Sequence, residues 1–157
     1  MILVTGGAGF IGSNLVGALS EQDERVSICD ALGISNKWRN IAKHEIDELV
    51  DPCQLDDFLA RRGGDVSFVY HMGAISTTTE TDVDLIVDSN LRLSQRIWRW
   101  CAEHEVPLVY ASSAATGSGS LLSASAIAPL SKRAPGHDDG VDPCNAAPGT
   151  GWESPIP

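Results

Sequence analysis

Basic residues are scarce in this chain: 11 Lys and Arg stand against 21 Asp and Glu, for a net charge of −10 and an isoelectric point near 4.6. So few cations cannot build the broad positive face that phosphate backbones require, which argues against nucleic acid as the main partner. Long apolar runs are missing too. None approaches the ~20 residues of a membrane span, so no membrane association is expected. Met1-Ile2-Leu3-Val4 carries no basic stretch and runs straight into Gly6-Gly7, unlike a secretory leader. A cytoplasmic location is therefore expected. The four cysteines (Cys29, Cys53, Cys101, Cys144) include no Cys-x-x-Cys pair and the four histidines are scattered, so neither a metal site nor a disulfide framework is expected.

What is present suits a folded domain. The 157 residues are 43% hydrophobic, enough for one buried core and too apolar for a disordered acidic chain. The composition is uneven, however. In residues 117–157, Gly, Pro, Ser and Ala make up 24 of 41 positions, and six of the eight prolines fall there. The reading is a domain over 1–116, followed by a low-complexity, disordered or frameshifted tail over 117–157.

Within the first 116 residues, strand and helix patterns alternate. Ile2-Leu3-Val4 reads as a strand buried on both faces, and a helix from about Ile11 to Ser20 should present Ile11, Leu15 and Leu19 as its apolar stripe. Val26 to Cys29 is a second strand. His44 to Val50 alternates weakly as a third. Leu55 to Arg62 is a helix with Leu55, Phe58 and Leu59 inward, ended by Gly63-Gly64. Val66 to Tyr70 is a fourth strand, Asp82 to about Glu105 a long helix, and Leu108 to Ala111 a fifth strand. This rhythm predicts an α/β fold, a Rossmann-like doubly wound parallel sheet that is truncated at its C-terminal side. Ligands of such sheets bind at the carboxyl ends of the strands. Gly6–Gly12, His71–Thr79 and Ser112–Thr116 all fall there.

The first of these segments carries a recognisable chemistry. Thr5-Gly6-Gly7-Ala8-Gly9-Phe10-Ile11-Gly12 follows a strand and opens a helix. Gly6 permits a tight turn, Gly9 a close backbone approach to a pyrophosphate, and Gly12 close packing of the helix. The helix N-terminus then offers unpaired N–H groups and a positive dipole end to phosphates. Asp30 ends the second strand 18 residues after Gly12, where a carboxylate can bond an adenosine ribose hydroxyl. Asp30 favours NAD, whereas Lys37 and Arg39 could reach a 2′-phosphate and favour NADP; both cofactors stay open at this point.

Taken together, the glycine loop, the run His71-Met72-Gly73-Ala74-Ile75-Ser76-Thr77-Thr78-Thr79-Glu80 and the run Ala111-Ser112-Ser113-Ala114-Ala115-Thr116 resemble the extended short-chain dehydrogenase/reductase superfamily. Within it, the last two runs are most similar to the ADP-L-glycero-D-manno-heptose 6-epimerases. The resemblance covers residues 1–116. It implies NADP as cofactor, a nucleotide-sugar substrate (an ADP-heptose), a homo-oligomeric assembly and a place in carbohydrate and lipopolysaccharide metabolism. By matching position it places Phe10 and Ile11 over the pyrophosphate and Asp30, Ala31 and Lys37 around the adenosine ribose. Met72, Gly73, Ala74, Ile75 and Ser76 would line the cofactor, with Asn90 near the nicotinamide. Ser113 would bond the sugar oxygen at the reacting carbon, with Thr116 close by. The implied reaction is oxidation at C6″ of the heptose followed by re-reduction from the opposite face.

That reaction needs a base, in the family a tyrosine whose phenolate is favoured by a lysine one helical turn on, as Tyr-x-x-x-Lys. Here the only tyrosines are Tyr70 and Tyr110, both in expected strands, and the residues four positions on are Ala74 and Ala114. Lys132 is the only lysine after residue 116, and Ala128 precedes it at that spacing. The proton-transfer pair is absent. The expectation is a truncated or frameshifted epimerase sequence that retains the cofactor-binding half; a dinucleotide-binding remnant without catalysis, or a fragment of another nucleotide-sugar epimerase or dehydratase, is the alternative. Two further groups have simpler explanations. Trp98 and Trp100 with Arg96 and Arg99 fit helix packing, and Thr77-Thr78-Thr79-Glu80 fits either a helix cap or a substrate contact.

Overall fold

A computed structural model describes residues 1–111 of the chain. Five parallel strands form one sheet: β1 (Ile2–Thr5), β2 (Val26–Cys29), β3 (Glu48–Val50), β4 (Phe68–His71) and β5 (Leu108–Tyr110), in the order β3-β2-β1-β4-β5. β1 lies at the centre, with Thr5 level with Cys29 on one side and His71 on the other. The chain therefore reverses its direction of winding at β1, so that the carboxyl ends of β1, β2 and β4 open onto one crevice.

The helices are α1 (Phe10–Ser20), α2 (Leu55–Arg62), α3 (Val83–Ile86) and α4 (Leu93–Glu103). Alternate side chains of the strands divide between two cores. Leu3, Val69 and Leu108 pack with Leu55, Phe58 and Leu59 of α2 and with Leu93, Ile97 and Cys101 of α4. Ile2, Val4, Val26 and Ile28 pack with Val16 and Leu19 of α1 on the other face. Helices on both faces of a parallel sheet make the fold Rossmann-like and doubly wound, as the alternation predicts. Burial of both faces also explains why β1 and β2 are apolar with scarcely any interruption.

Several elements match their sequence patterns closely. β2 and α2 have the expected limits, with Leu55, Phe58 and Leu59 buried. Other patterns are corrected. Ile11 is 64% exposed, and the buried face of α1 is Gly12, Ser13, Val16, Gly17 and Leu19. The helix is apolar nearly all round, and the face carrying glycines turns to the sheet because only it permits a close approach. A Cβ on Gly12 would stand 2.1 Å from the Gly6 carbonyl oxygen, and one on Gly17 3.0 Å from the His44 ring. The third strand shrinks to Glu48–Val50, with Asp47 diverted into an ion pair with Arg25. The long helix is divided into α3, a π-helical stretch over Val87–Arg92, and α4. Its wider turn keeps Ser89 in line with the buried row Leu93, Ile97 and Cys101.

Trp100 is half-buried and stacks on His104 at 4.5 Å, while Trp98 is partly exposed, so helix packing accounts for Trp100. Asp82, and none of the threonines before it, caps α3 by accepting the Leu85 N–H at 3.0 Å. Glu80 accepts the N–H groups of Thr81 and Asp82 at 2.8 and 2.9 Å. Burial pushes the thiols of Cys29 and Cys101 up to about 12, which leaves both protonated and unreactive at neutral pH. Among the described residues, no helix is long and apolar enough to cross a membrane. The expected tail over 117–157 lies outside the described residues.

Candidate functional site

The crevice at the carboxyl ends of the strands is a cleft of about 710 Å³. One wall is the glycine loop. Gly6 adopts φ +66°, a left-handed conformation that an L side chain resists, and a Cβ there would lie 2.6 Å from the backbone of Gly73. The turn and the close approach of two loops thus demand glycine at the same point. Gly9 stands at the N-terminal boundary of α1 with no side-chain cap, so the N–H groups of the first turn keep their donors free at the edge of the cleft. Phe10 and Ile11, 85% and 64% exposed, are apolar side chains at its mouth.

The second wall begins where β2 ends. Asp30 places one carboxylate oxygen 2.8 Å from the Ala8 N–H of the glycine loop and the other 2.8 Å from Lys37 Nζ. The loop after β2 curls into a short 3₁₀ turn over Asn36–Asn40, which Ser35 caps at its start. That turn brings Lys37 back to Asp30 and lets Asn40 Nδ2 donate to the Ala8 carbonyl at 2.9 Å. The glycine loop is therefore held from outside by an acid and an amide, with a cation beside them. Ala31 and Ser35 complete this end of the cleft.

The third wall follows β4. Met72, Gly73, Ala74, Ile75 and Ser76 line the cleft, joined by Thr77 and Glu80. Asn90 does not line it. Its amide Nδ2 donates to the Ile75 carbonyl at 2.9 Å and its Oδ1 accepts the Ile75 N–H at 2.7 Å, so it acts on the wall from behind. Ser89, its neighbour in the π-helical stretch, does line the cleft; its Oγ is buried and has no hydrogen-bond partner among the described residues. Ser113 and Thr116 lie outside the described residues.

The cleft thus brings together Gly6, Gly9, Phe10, Ile11, Gly12, Asp30, Ala31, Lys37 and the residues from Met72 to Ser76 from three separated segments. Sequence reasoning quoted Thr5 within the glycine motif without giving it a role, and missed Ser35, Asn40 and Ser89. A lone polar residue in a loop or helix has no period or motif to mark it, and only the packed structure shows what each one touches. Among the described residues, no group of three His, Cys, Asp or Glu is arranged to hold a metal.

These residues fit a dinucleotide. The loop that lines the cleft carries glycine at Gly6, Gly9 and Gly12, so no side chain stands between its backbone and a ligand; the uncapped helix start supplies donors for phosphate oxygens, and the Ser89 hydroxyl, without a partner among the described residues, supplies a further polar group. The fold and cleft define a dinucleotide-binding α/β protein. More narrowly, the chain belongs to the NAD dependent epimerase/dehydratase family, whose model matches residues 2–131. It is similar to the ADP-L-glycero-D-manno-heptose-6-epimerase of Fusobacterium nucleatum, with 43% identity over 125 residues. That match takes in 77% of this chain and 38% of the relative, so the chain spans well under half the length of that enzyme. Among solved structures, the Helicobacter pylori ADP-L-glycero-D-manno-heptose-6-epimerase superposes with a TM-score of 0.63 at 25% identity, covering 77% of this chain and 42% of that one. The Thermus thermophilus UDP-glucose 4-epimerase in complex with NAD superposes with a TM-score of 0.60 at 28% identity, covering 71% and 37%.

Proposed function

We propose that this chain binds NADP, with NAD as the weaker ligand, as the cofactor-holding portion of a nucleotide-sugar epimerase of the ADP-heptose type, acting in the cytoplasm. The observation that supports this reading most directly is the Asp30–Lys37 pair beside the glycine loop. A bare carboxylate repels a 2′-phosphate, whereas pairing with a cation offsets that repulsion, and the ammonium keeps two further N–H donors to offer a phosphate beside it. The glycine loop and the start of α1 would hold the pyrophosphate, Asp30 and Lys37 the adenosine ribose, and Gly73 to Ser76 the far end. When bound, the cofactor supplies hydride acceptance and return.

The chain's own residues do not complete that chemistry. Tyr70 and Tyr110 stand in β4 and β5 rather than on a helix, and neither has a lysine four positions on. With no phenol and ammonium pair to take the proton from a sugar hydroxyl, the chain as written binds without turning over. In this reading residues 1–116 carry the dinucleotide-binding unit, and residues 117–157 supply no catalytic pair. The 43% identity to the Fusobacterium enzyme favours an ADP-heptose as the ancestral substrate. The likeness to UDP-glucose 4-epimerase supports other nucleotide sugars as the second reading.

Titration of the purified chain with NADP⁺ and NAD⁺ by calorimetry tests the binding. Saturable 1:1 binding with NADP⁺ tighter is the expected result, and absence of binding by both overturns it. An epimerase assay with the ADP-heptose should show no turnover; turnover would overturn the reading of the missing pair.

A further inference from the structure

Six residues around the β4 end form one connected hydrogen-bond circuit. Thr5 Oγ1 lies 2.6 Å from His71 Nδ1 and accepts the Gly73 N–H at 3.2 Å. On the other side of the ring, His71 Nε2 lies 2.7 Å from Ser94 Oγ. Ser94 donates its hydroxyl proton to the Asn90 carbonyl at 2.8 Å. Asn90 in turn grips both backbone groups of Ile75. The circuit leaves the cleft wall at Gly73 and returns to it at Ile75.

The direction of each bond follows from counting protons. Ser94 has one hydroxyl hydrogen and spends it on Asn90, so at His71 it can only accept; Nε2 must carry a proton. A neutral ring then has a bare Nδ1, which accepts the Thr5 hydroxyl proton, and the Thr5 oxygen keeps a lone pair for the Gly73 N–H. Every donor and acceptor is satisfied in this arrangement. With the proton on Nδ1 instead, Nε2 would face a hydroxyl that has no proton to give. His71 is 5% exposed, and burial pushes its pKa down to about 4, consistent with an uncharged imidazole.

We propose that His71 is a positioning residue for the dinucleotide cleft, held as the neutral Nε2–H tautomer so that the circuit clamps Gly73 and Ile75 against the glycine loop. The link to the loop is direct: Gly73 sits so close to Gly6 that no Cβ fits between them, and Thr5 precedes Gly6 in the chain. The spacing of two cleft walls therefore depends on the bonds that His71 makes to β1 and α4. This inference rests on the dinucleotide-binding reading only for its affinity readout.

The experiment uses the full chain labelled with ¹⁵N-histidine. At pH 7 the His71 ring should show an unprotonated Nδ1 and a protonated Nε2; the opposite tautomer overturns the proposal. Ser94→Ala and Thr5→Val should weaken NADP⁺ about ten-fold, the size of one net hydrogen bond, and speed amide exchange at Gly73 and Ile75. Thr5→Ser, which keeps the hydroxyl, should return the affinity to within about two-fold of wild type. Variants that melt earlier yet bind NADP⁺ as wild type and keep both amides protected would show a purely structural role and overturn the proposal. If wild type binds neither dinucleotide, the functional reading fails by itself, and the tautomer and exchange measurements still decide the circuit.

Discussion

Lys37 Nζ lies 2.8 Å from one oxygen of Asp30, while the other oxygen accepts the Ala8 N–H at the same distance. The acid at the end of β2 thus holds the glycine loop and a cation at once, with 10% of its side chain exposed against 26% for the lysine. Lys37→Ala should weaken NADP⁺ by about ten- to a hundred-fold, the range of a charge-assisted hydrogen bond, and leave NAD⁺ within a few-fold. Calorimetric titration of both cofactors reads the difference, and an equal loss for both would refute the assignment.

Two glycines make opposite predictions. Gly6→Ala puts a Cβ 2.6 Å from Gly73 in a left-handed conformation, which should cost about 2–4 kcal/mol of stability. Gly64→Ala meets nothing within 4 Å and should stay within about 0.5 kcal/mol of wild type. Urea denaturation of the two variants side by side separates these outcomes.

The buried imidazole makes stability depend on pH. His71 titrates near 6.5 when unfolded and near 4 when folded, so the unfolded chain takes up the proton first. Its contribution is fully present above about pH 6.5 and is lost as the pH falls to about 4, by roughly 3 kcal/mol in all. In denaturation midpoints measured from pH 7 to 4, His71→Gln should show a shallower fall than wild type. Parallel curves would contradict the linkage.

Ser89 gives a prediction of mixed sign. Its hydroxyl is buried and without a partner among the described residues, so Ser89→Ala should leave the free protein as stable or up to about 1 kcal/mol more so. The same change should shrink the rise in Tm that NADP⁺ produces. A variant with unchanged ligand-induced stabilisation would show that the hydroxyl does not serve the cofactor.

Much of the fold was legible because its signals are local. The apolar run Val26–Cys29, the Leu55, Phe58, Leu59 face and the glycines between β1 and α1 each lie within one or two turns of chain, and the structure keeps them as read. The apolar face of α1 was legible in part. Of the stripe Ile11, Leu15 and Leu19, Leu19 is buried and Leu15 packs against the core, whereas Ile11 is exposed because the helix turns Gly12, Val16 and Gly17 inward, with Gly12 close to the Gly6 carbonyl. The resemblance places Asn90 near the nicotinamide; in the structure its amide is bonded to both backbone groups of Ile75 in the cleft wall, and its neighbour Ser89 lines the cleft, a division of roles that spacing along the chain does not show.

The sequence by itself determined the alternation of strands and helices, the glycine loop between β1 and α1, the acid that follows β2 and the lack of a Tyr-x-x-x-Lys pair. These are matters of residue type and spacing along the chain. Tertiary structure alone decided that Lys37 neutralises Asp30, that Asn40 holds Ala8, and that His71 joins Thr5, 66 residues away, to Ser94. A hydrogen bond needs a partner within about 3 Å and at the right angle, and for groups so far apart in sequence only the packing of strands and helices brings that about.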